Sequence, residues 1–522
     1  MAKKDWKKRE SLPSAMIQVA VTTVVLAGGV LFYVQRGQHK KEVADRLKEA
    51  KASALKDNPA DLQKALAGAQ AILENEPNSP YAVAFAADVE TELWLVHKVP
   101  GADAKAREFS DRAESLNSTS EDRYAAKILQ FIAEGKPAEA EAYGEELRKR
   151  GASSPKLWYG LAEAFRAQGN MDLERQSFQQ ATDKAWKNPR FFAAYAEALI
   201  DEGLIDQAIE VANKGIADNP DHIQARLALA TARTKKRDHV KDAADTVRDV
   251  LSQPDLTPGL KLRALVTQAF VFNFEQRYDD AIASANKALA MDPAAYTALW
   301  AKANAQALKK DSGALATYKA AVAARKTATG IYLEGAQLLQ QAGNSDGALA
   351  LLGTYEDAFK AINIQTTDGK MVPWLDRDDR YWLARGDVAR AAAKFDAALA
   401  AYDKAITARG LHLSQAHYAR GAVFLAKKDY EKASAEFKAV APEDGTGMIA
   451  DAYLGLGEIL FSQKDYPTGC QNYAFALARL KTQQAPRERM NGILEDVNRR
   501  LVAAGQGSVA KLWMKEARPI IQ

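Results

Sequence analysis

Tyr278 to Pro293 reads YDDAIASANKALAMDP, and Asp429 to Pro442 reads DYEKASAEFKAVAP. In each, an aromatic residue (Tyr278, Tyr430) is followed at helical spacing by alanine (Ala281, Ala433), then by a small or aromatic side chain (Ala285, Phe437), and proline ends the stretch. Apolar positions three and four apart make one face of a helix, and proline marks where it stops. On a unit of about 34 residues, the aromatic falls at position 17, small residues at 20 and 27, a small or aromatic residue at 24 and proline near 32.

The frame extends outward in both directions. Pro155 to Asn188 carries Trp158, Leu161, Ala162, Phe165, Phe178 and Ala181 in register, and Pro189 to His222 continues without a gap through Phe192, Tyr195, Ala196, Leu199, Gly203, Ala208, Ala212 and Pro220. Later units are marked by Trp382, Gly386 and Tyr402, by Gly421, Tyr430 and Phe437, and by Tyr453, Gly457 and Tyr473. Fainter ones start near Arg46, Pro80, Glu121, Ile223, Tyr296 and Thr329, so about twelve units are expected. Small residues let two helices approach, bulky ones fill the remaining space, and stacked neighbours bury what one hairpin cannot.

This pattern resembles the tetratricopeptide repeat, a family in which each unit is a pair of antiparallel helices. The resemblance implies an all-α fold, a right-handed superhelical solenoid of about twelve such hairpins, preceded here by one transmembrane helix. On that reading the chain has a basic tail (1–13), a transmembrane helix (14–34), a juxtamembrane linker (35–45) and units 1–9 (46–360). An inter-repeat loop (361–378), units 10–12 (379–482) and C-terminal capping helices (483–522) follow. Ile493, Leu494, Val497, Leu501 and Leu512 are expected to cover the last repeat, whose apolar face would otherwise be wet. Two segments depart from the frame: ETELWLVHKVPGAD (90–103) lengthens a hairpin, and KAINIQTTDGKMVPWLDRDD (360–379) separates two units without periodicity of its own.

Ser14 to Val34 reads SAMIQVAVTTVVLAGGVLFYV, 21 residues without a charge. At about 1.5 Å per residue this crosses a hydrocarbon core of roughly 30 Å. A cleaved signal peptide has a shorter apolar region and a small-residue cleavage site, and no clear site follows here. Lys3, Lys4, Lys7, Lys8 and Arg9 before the span are matched by Arg36, Lys40, Lys41, Arg46 and Lys48 after it, so the charge rule ties. Carrying the basic tail across is the costlier alternative to exporting the hydrophilic domain behind an anchor. The expected localisation is therefore the bacterial inner membrane, single-pass, with the repeats in the periplasm.

A net charge of +4 from 71 basic and 67 acidic residues leaves no field that would favour nucleic acid. The single cysteine, Cys470, excludes an intramolecular disulfide and a cysteine zinc ribbon, and its place on a repeat helix reads as a half-buried structural thiol. P-loop, nucleophile-elbow, dinucleotide and metalloprotease signatures are absent from the sequence. The histidines are scattered, with His412 and His417 at the wrong spacing for one helical turn, and the carboxylate pairs Glu145–Glu146 and Asp378–Asp379 read as surface. Neither an enzyme, a cofactor, a metal nor a small-molecule substrate is expected.

The family resemblance implies a partner groove lined by positions 2, 5, 9 and 12 of each first helix. Here those positions hold Lys156, Tyr159, Arg166, Arg263, Phe270, Asn273, Trp300, Asn304, Arg380, Arg390 and Tyr418. Aromatic anchors beside amides and guanidinium groups suit an extended peptide or an amphipathic helix, although the same side chains can instead pack between hairpins. One family subtype clamps chaperone C-termini with an asparagine at position 6; here that position, after Asn304, is Glu334, and the clamp is broken. The expected partners are other proteins of an envelope assembly for motility, secretion, polymer export or chaperoning, with a cytosol-facing chaperone or targeting receptor as the alternative.

Overall fold

The computed structural model describes residues 12–183, 188–217, 219–365 and 370–521, so the basic tail up to residue 11 lies outside it. Among the described residues the chain runs as α1 (Leu12–Ala54) with α2 (Pro59–Asn75), α3 (Pro80–Leu95) with α4 (Ala102–Ser115), α5 (Glu121–Ala133) with α6 (Pro137–Lys149), and α7 (Pro155–Gln168) with α8 (Met171–Thr182). It continues as α9 (Pro189–Asp201) with α10 (Ile205–Ala217), α11 (Ile223–Lys236) with α12 (Val240–Leu251), α13 (Pro258–Phe274) with α14 (Tyr278–Met291), and α15 (Tyr296–Leu308) with α16 (Ala314–Ala324). The last pairs are α17 (Thr329–Gln341) with α18 (Ser345–Phe359), α19 (Asp379–Ala391) with α20 (Phe395–Ala408), α21 (Leu413–Ala426) with α22 (Tyr430–Lys438), and α23 (Ala450–Ser462) with α24 (Tyr466–Thr482). Two further helices follow, α25 (Arg487–Ala503) and α26 (Gly507–Ile521).

Local chemistry sets these boundaries. Asn58 and Ser154 accept from the backbone N–H of Asp61 and Leu157, with Pro59 and Pro155 beginning the helix behind them. This is the cap-then-proline start that leaves the fewest orphan donors. The chain falls into two compact units, residues 12–199 with 205–264, and 200–204 with 265–521.

Side-chain volume is matched inside the hairpins of unit 2. A Cβ built on Gly386 would lie 2.4 Å from the Tyr402 ring, one on Gly421 2.7 Å from Phe437, and one on Gly457 2.8 Å from Tyr473. In each pair position 8 is glycine and position 24 is a ring. The hairpin at α13 and α14 has alanine at both, Ala269 and Ala285, each fully buried. Glycine thus stands where a ring is opposite and alanine where the opposite residue is alanine, so no Cβ is set against a ring.

Four expectations need correction. Residues 35–45 are helical, so α1 runs unbroken from its apolar half into the first hairpin, where Ala50 is buried against α2 and His39 meets Glu76 at 2.8 Å. The inter-repeat loop holds an antiparallel ribbon, β1 (Asn363–Gln365) on β2 (Met371–Pro373), and then a 3-10 turn at Trp374–Asp376. Asp378 is 5% exposed, not a surface residue: it accepts from Tyr355 Oη, from Trp374 Nε1 at 3.2 Å and from Tyr381 N at 3.2 Å, while Asp379 accepts from His412. Finally, Leu512 is 52% exposed. The helical phase of α26 buries Ala510, Trp513, Ala517 and Ile521, and Trp513 fills the place foreseen for Leu512 against Leu494, Val497 and Leu501.

Candidate binding clefts

Unit 1 is organised around α3, whose residues from Ala82 to Leu93 are all buried. A helix enclosed on every side must partner its polar groups inside the protein. Asp88 receives Lys156 Nζ at 2.6 Å and Arg190 Nη2 at 3.3 Å, and Arg190 Nη1 also pairs with Glu92. Asp122 on α5 is held by Lys51 at 2.8 Å and by Lys156. Burial pushes the Glu92 carboxyl well above the usual carboxylate range despite Arg190, whereas for Asp122 the two lysines outweigh burial and hold it low.

The 90–103 insertion continues this polar interior. His97, fully buried, places Nε2 2.6 Å from Asp57 Oδ1 and Nδ1 3.0 Å from Thr257 Oγ1. His222, also fully buried, lies with Nε2 3.0 Å from Asp57 Oδ2, and its Nδ1 accepts from Ala225 N at the start of α11. Gln224 donates to the same carboxylate. Burial alone would raise the Asp57 carboxyl, but the hydrogen bonds from His222 and His97 reverse this and hold it well below its usual range. Gly259 N donates to His97 O at 2.9 Å, and a Cβ on Gly259 would sit 1.9 Å from Val96 O. The turn after α1, the turn after α3 and the starts of α11 and α13 are thus clasped together. A cleft of about 470 Å³ opens onto Asp57, Asp88, Glu92, Lys156 and Arg190.

Unit 2 has a second cleft, of about 580 Å³, between its last repeats and α25. Tyr418, Leu425, Leu454 and Ile493 form its apolar wall, and Asp451, Glu458, Arg489 and Arg500 its polar rim. Arg489 pairs with Asp451, and Arg500 reaches Glu458 at 2.8 Å. Helix α25 therefore builds one side of a concave surface as well as covering the last hairpin. Cys470, packed beside this helical layer, is half-buried, and burial raises its thiol to about 11, which suits a structural role.

The residues named from the repeat register divide in a telling way. Trp300 is 2% exposed and meets Phe270 edge-on at 5.7 Å; Asn273 donates to Ala301 O at 2.8 Å and Asn304 accepts from Tyr318 Oη at 2.7 Å. Tyr159 is buried and stacked on Phe191 at 4.7 Å, and Arg166 is buried beside Glu163 and Glu174. These six pack within hairpin layers. Arg263 pairs with Glu197, and Arg380 donates to Glu202 O at 2.8 Å. Arg390, the most open of the set, donates to Tyr402 Oη at 3.3 Å. Only Lys156 and Tyr418 line a cleft described above. The buried cluster at Asp57, Glu92, His97 and His222 was not legible in sequence because its members are joined only by packing across many repeats.

Stacked pairs of short helices with glycine or alanine at the crossings and aromatic rings opposite them define a class, the helical-hairpin repeat proteins. Tetratricopeptide-repeat profiles match residues 126–189, 275–329 and 383–447, and a second profile of that family matches 189–232. Residues 126–232, 275–329 and 383–447 are therefore tetratricopeptide repeats, a repeat class that serves as a scaffold for binding other proteins. Among solved structures, the chain is similar to a human IFIT1 dimer with m7Gppp-AAAA, at 15% identity, 75% of this chain and 90% of that one, TM-score 0.42. It is also similar to the APC/C hetero-tetramer Cut9–Hcn1, at 11% identity, covering 88% and 93%, TM-score 0.35. A third is a tetratricopeptide repeat protein from Parabacteroides merdae, at 16% identity, covering 58% and 98%, TM-score 0.29. No curated protein matches the chain.

Proposed function

We propose that this protein is a membrane-anchored scaffold of a bacterial envelope assembly, in which α1 spans the inner membrane and the hairpins gather partner proteins on its outer side. The carrying observation is α1 itself. Its first half presents apolar side chains to the outside all round, Met16 being 69% exposed and Val24 71%, while its second half is built into the first hairpin. By length and composition it is long and apolar enough to cross a membrane, and an exposed apolar surface of that size asks for a cover. A rigid helix shared by span and array would hold the first hairpin close to the bilayer.

Partner segments would dock in the unit 2 cleft, where Tyr418, Leu454 and Ile493 offer apolar anchors and Arg489 and Arg500 offer donors for backbone or carboxylate groups. The test is protease accessibility of a C-terminal tag in membranes that resist alkaline extraction. Cleavage once the outer envelope is opened supports a periplasmic array. Protection until the inner membrane is broken favours the cytosol-facing receptor, and a chain that leaves the membrane in alkali contradicts the anchor.

A further inference from the structure

We propose that Asp57, Glu92 and His97 form a binding site for one divalent first-row metal ion, with zinc the fitting species, that fastens the turns after α1 and α3 to each other, with the starts of α11 and α13 holding its ligands from behind. One ligand atom from each of the three lies within 4.8 Å of the others, and all three residues are buried. Two carboxylates and an imidazole, without a thiol, are a donor set suited to zinc and to its neighbours in the series.

Several independent features point to a ligand between them. Glu92 Oε2 is taken by Arg190, but Glu92 Oε1, equally buried, has no N–H donor and faces a second carboxyl, that of Asp57, which helps to raise it. An orphaned carboxylate oxygen in the interior is costly, and a cation beside it removes the cost. The Nδ1 of His97 faces the Thr257 hydroxyl, which can accept its proton and so leave the Nε2 lone pair for a metal. Asp57 has outer partners of its own: Gln224 donates to it, and His222, whose Nδ1 accepts from Ala225 N, sets its Nε2 3.0 Å from it. Each of the three ligands is therefore oriented by a second group, the arrangement metal sites use to fix their geometry.

The site also has a route in, because Asp57 and Glu92 both line the unit 1 cleft. Donor atoms around a tetrahedral zinc lie roughly 3.3 Å apart. The 2.6 Å contact of His97 Nε2 with Asp57 Oδ1 therefore describes the metal-free, hydrogen-bonded form. Binding moves the His97 proton from Nε2 to Nδ1, which then donates a hydrogen bond to Thr257 Oγ1; Glu92 gives up its proton to solvent, and the ion takes the place between imidazole and carboxylates.

The experiment uses the full-length chain in detergent micelles, stripped with a chelator and titrated with zinc chloride. One equivalent should bind saturably and raise the thermal unfolding midpoint. Glu92→Gln keeps the side-chain shape and a hydrogen-bond partner for Arg190, so it should fold while losing more than about 10-fold in zinc affinity, and Thr257→Val should lose about 10-fold. His97→Gln should bind no zinc at this site. Absence of a saturable equivalent in the parent chain would overturn the proposal and leave a proton-held clasp. Equal binding by the parent and Glu92→Gln would also overturn it, because the zinc would then sit on other groups.

Discussion

Each unit contains a place where a turn is fastened onto a hairpin several repeats further on, and the two places use different chemistry. In unit 1 the turns at Asp57 and His97 are dry: two imidazoles, a carboxylate and a glutamine meet in the interior, and Gly259 lets backbone touch backbone. In unit 2 the turn at 200–204 has its own acceptors buried, but most of the side chains that fasten it, Tyr296, Arg325 and Arg380, are partly exposed. Tyr296 Oη donates to Asp201 Oδ2 at 2.8 Å, Arg325 Nε lies 3.4 Å away, and Arg380 and Thr329 donate to Glu202 O. A solenoid whose repeats touch only their neighbours unfolds piecewise from its ends. A contact spanning four or five repeats couples them, and a buried one couples them more strongly because its polar groups have no water to fall back on.

The largest effect should come from the closest backbone approach. Gly259→Ala puts a Cβ against Val96 O and should destabilise unit 1 by about 3 kcal/mol or more, whereas Gly330→Ala, whose Cβ would lie 2.9 Å from Asp201 O, should cost unit 2 about 1 to 2 kcal/mol. Hydrogen exchange resolved by segment reads each unit separately, and equal losses would erase the distinction between the clasps. Next, in metal-free protein Asp57→Ala leaves two buried imidazoles beside no carboxylate and should cost about 3 kcal/mol, against about 1 kcal/mol for Asp201→Ala beside partly exposed Arg325. Denaturant titration of both variants measures this difference.

Within the hairpins, Gly386→Ala should cost about 1 to 3 kcal/mol by crowding Tyr402, and Tyr402→Leu in the same chain should recover part of it; a double-mutant cycle with no coupling would refute volume matching. The smallest effect concerns acid. Burial tends to raise the Asp379 carboxyl, but the ring and backbone N–H of His412 outweigh it and keep it below the usual range. A carboxylate lowered in the folded state adds stability above its unfolded pKa and loses it as pH falls through the folded value. Asp379→Asn should therefore lessen the loss of unit 2 stability on acidification below pH ~4, by about 1 kcal/mol, as followed by thermal melts.

The repeats were legible because their information is local: a ring at Tyr430, alanine at Ala433 and glycine at Gly421 fall at spacings that a single hairpin dictates. The same register named groove positions by family geometry, and there it overreached. Trp300 and Phe270 pack on one another, and Asn273 and Asn304 hydrogen-bond to neighbours inside the array. The insertion at 90–103 announced itself only as a departure from the frame. That it would carry His97 to Asp57, 40 residues away, and to Thr257, 160 residues away, depends on how the repeats curve, which no local spacing encodes. Asp378 and Asp379 were misread for a related reason: their partners are Tyr355 on α18 of the preceding hairpin, Trp374 in the turn after the β ribbon and His412 at the start of α21.

The most direct test of the scaffold reading is affinity purification of the full-length tagged chain from gently solubilised membranes, with and without the paired substitutions Arg489→Glu and Arg500→Glu at the unit 2 cleft. The account predicts a defined set of envelope proteins in near-stoichiometric amounts with the parent chain and their loss from the variant, whose fold and membrane extraction are unchanged. Recovery of the parent chain alone, or of the same partners with both chains, would contradict it.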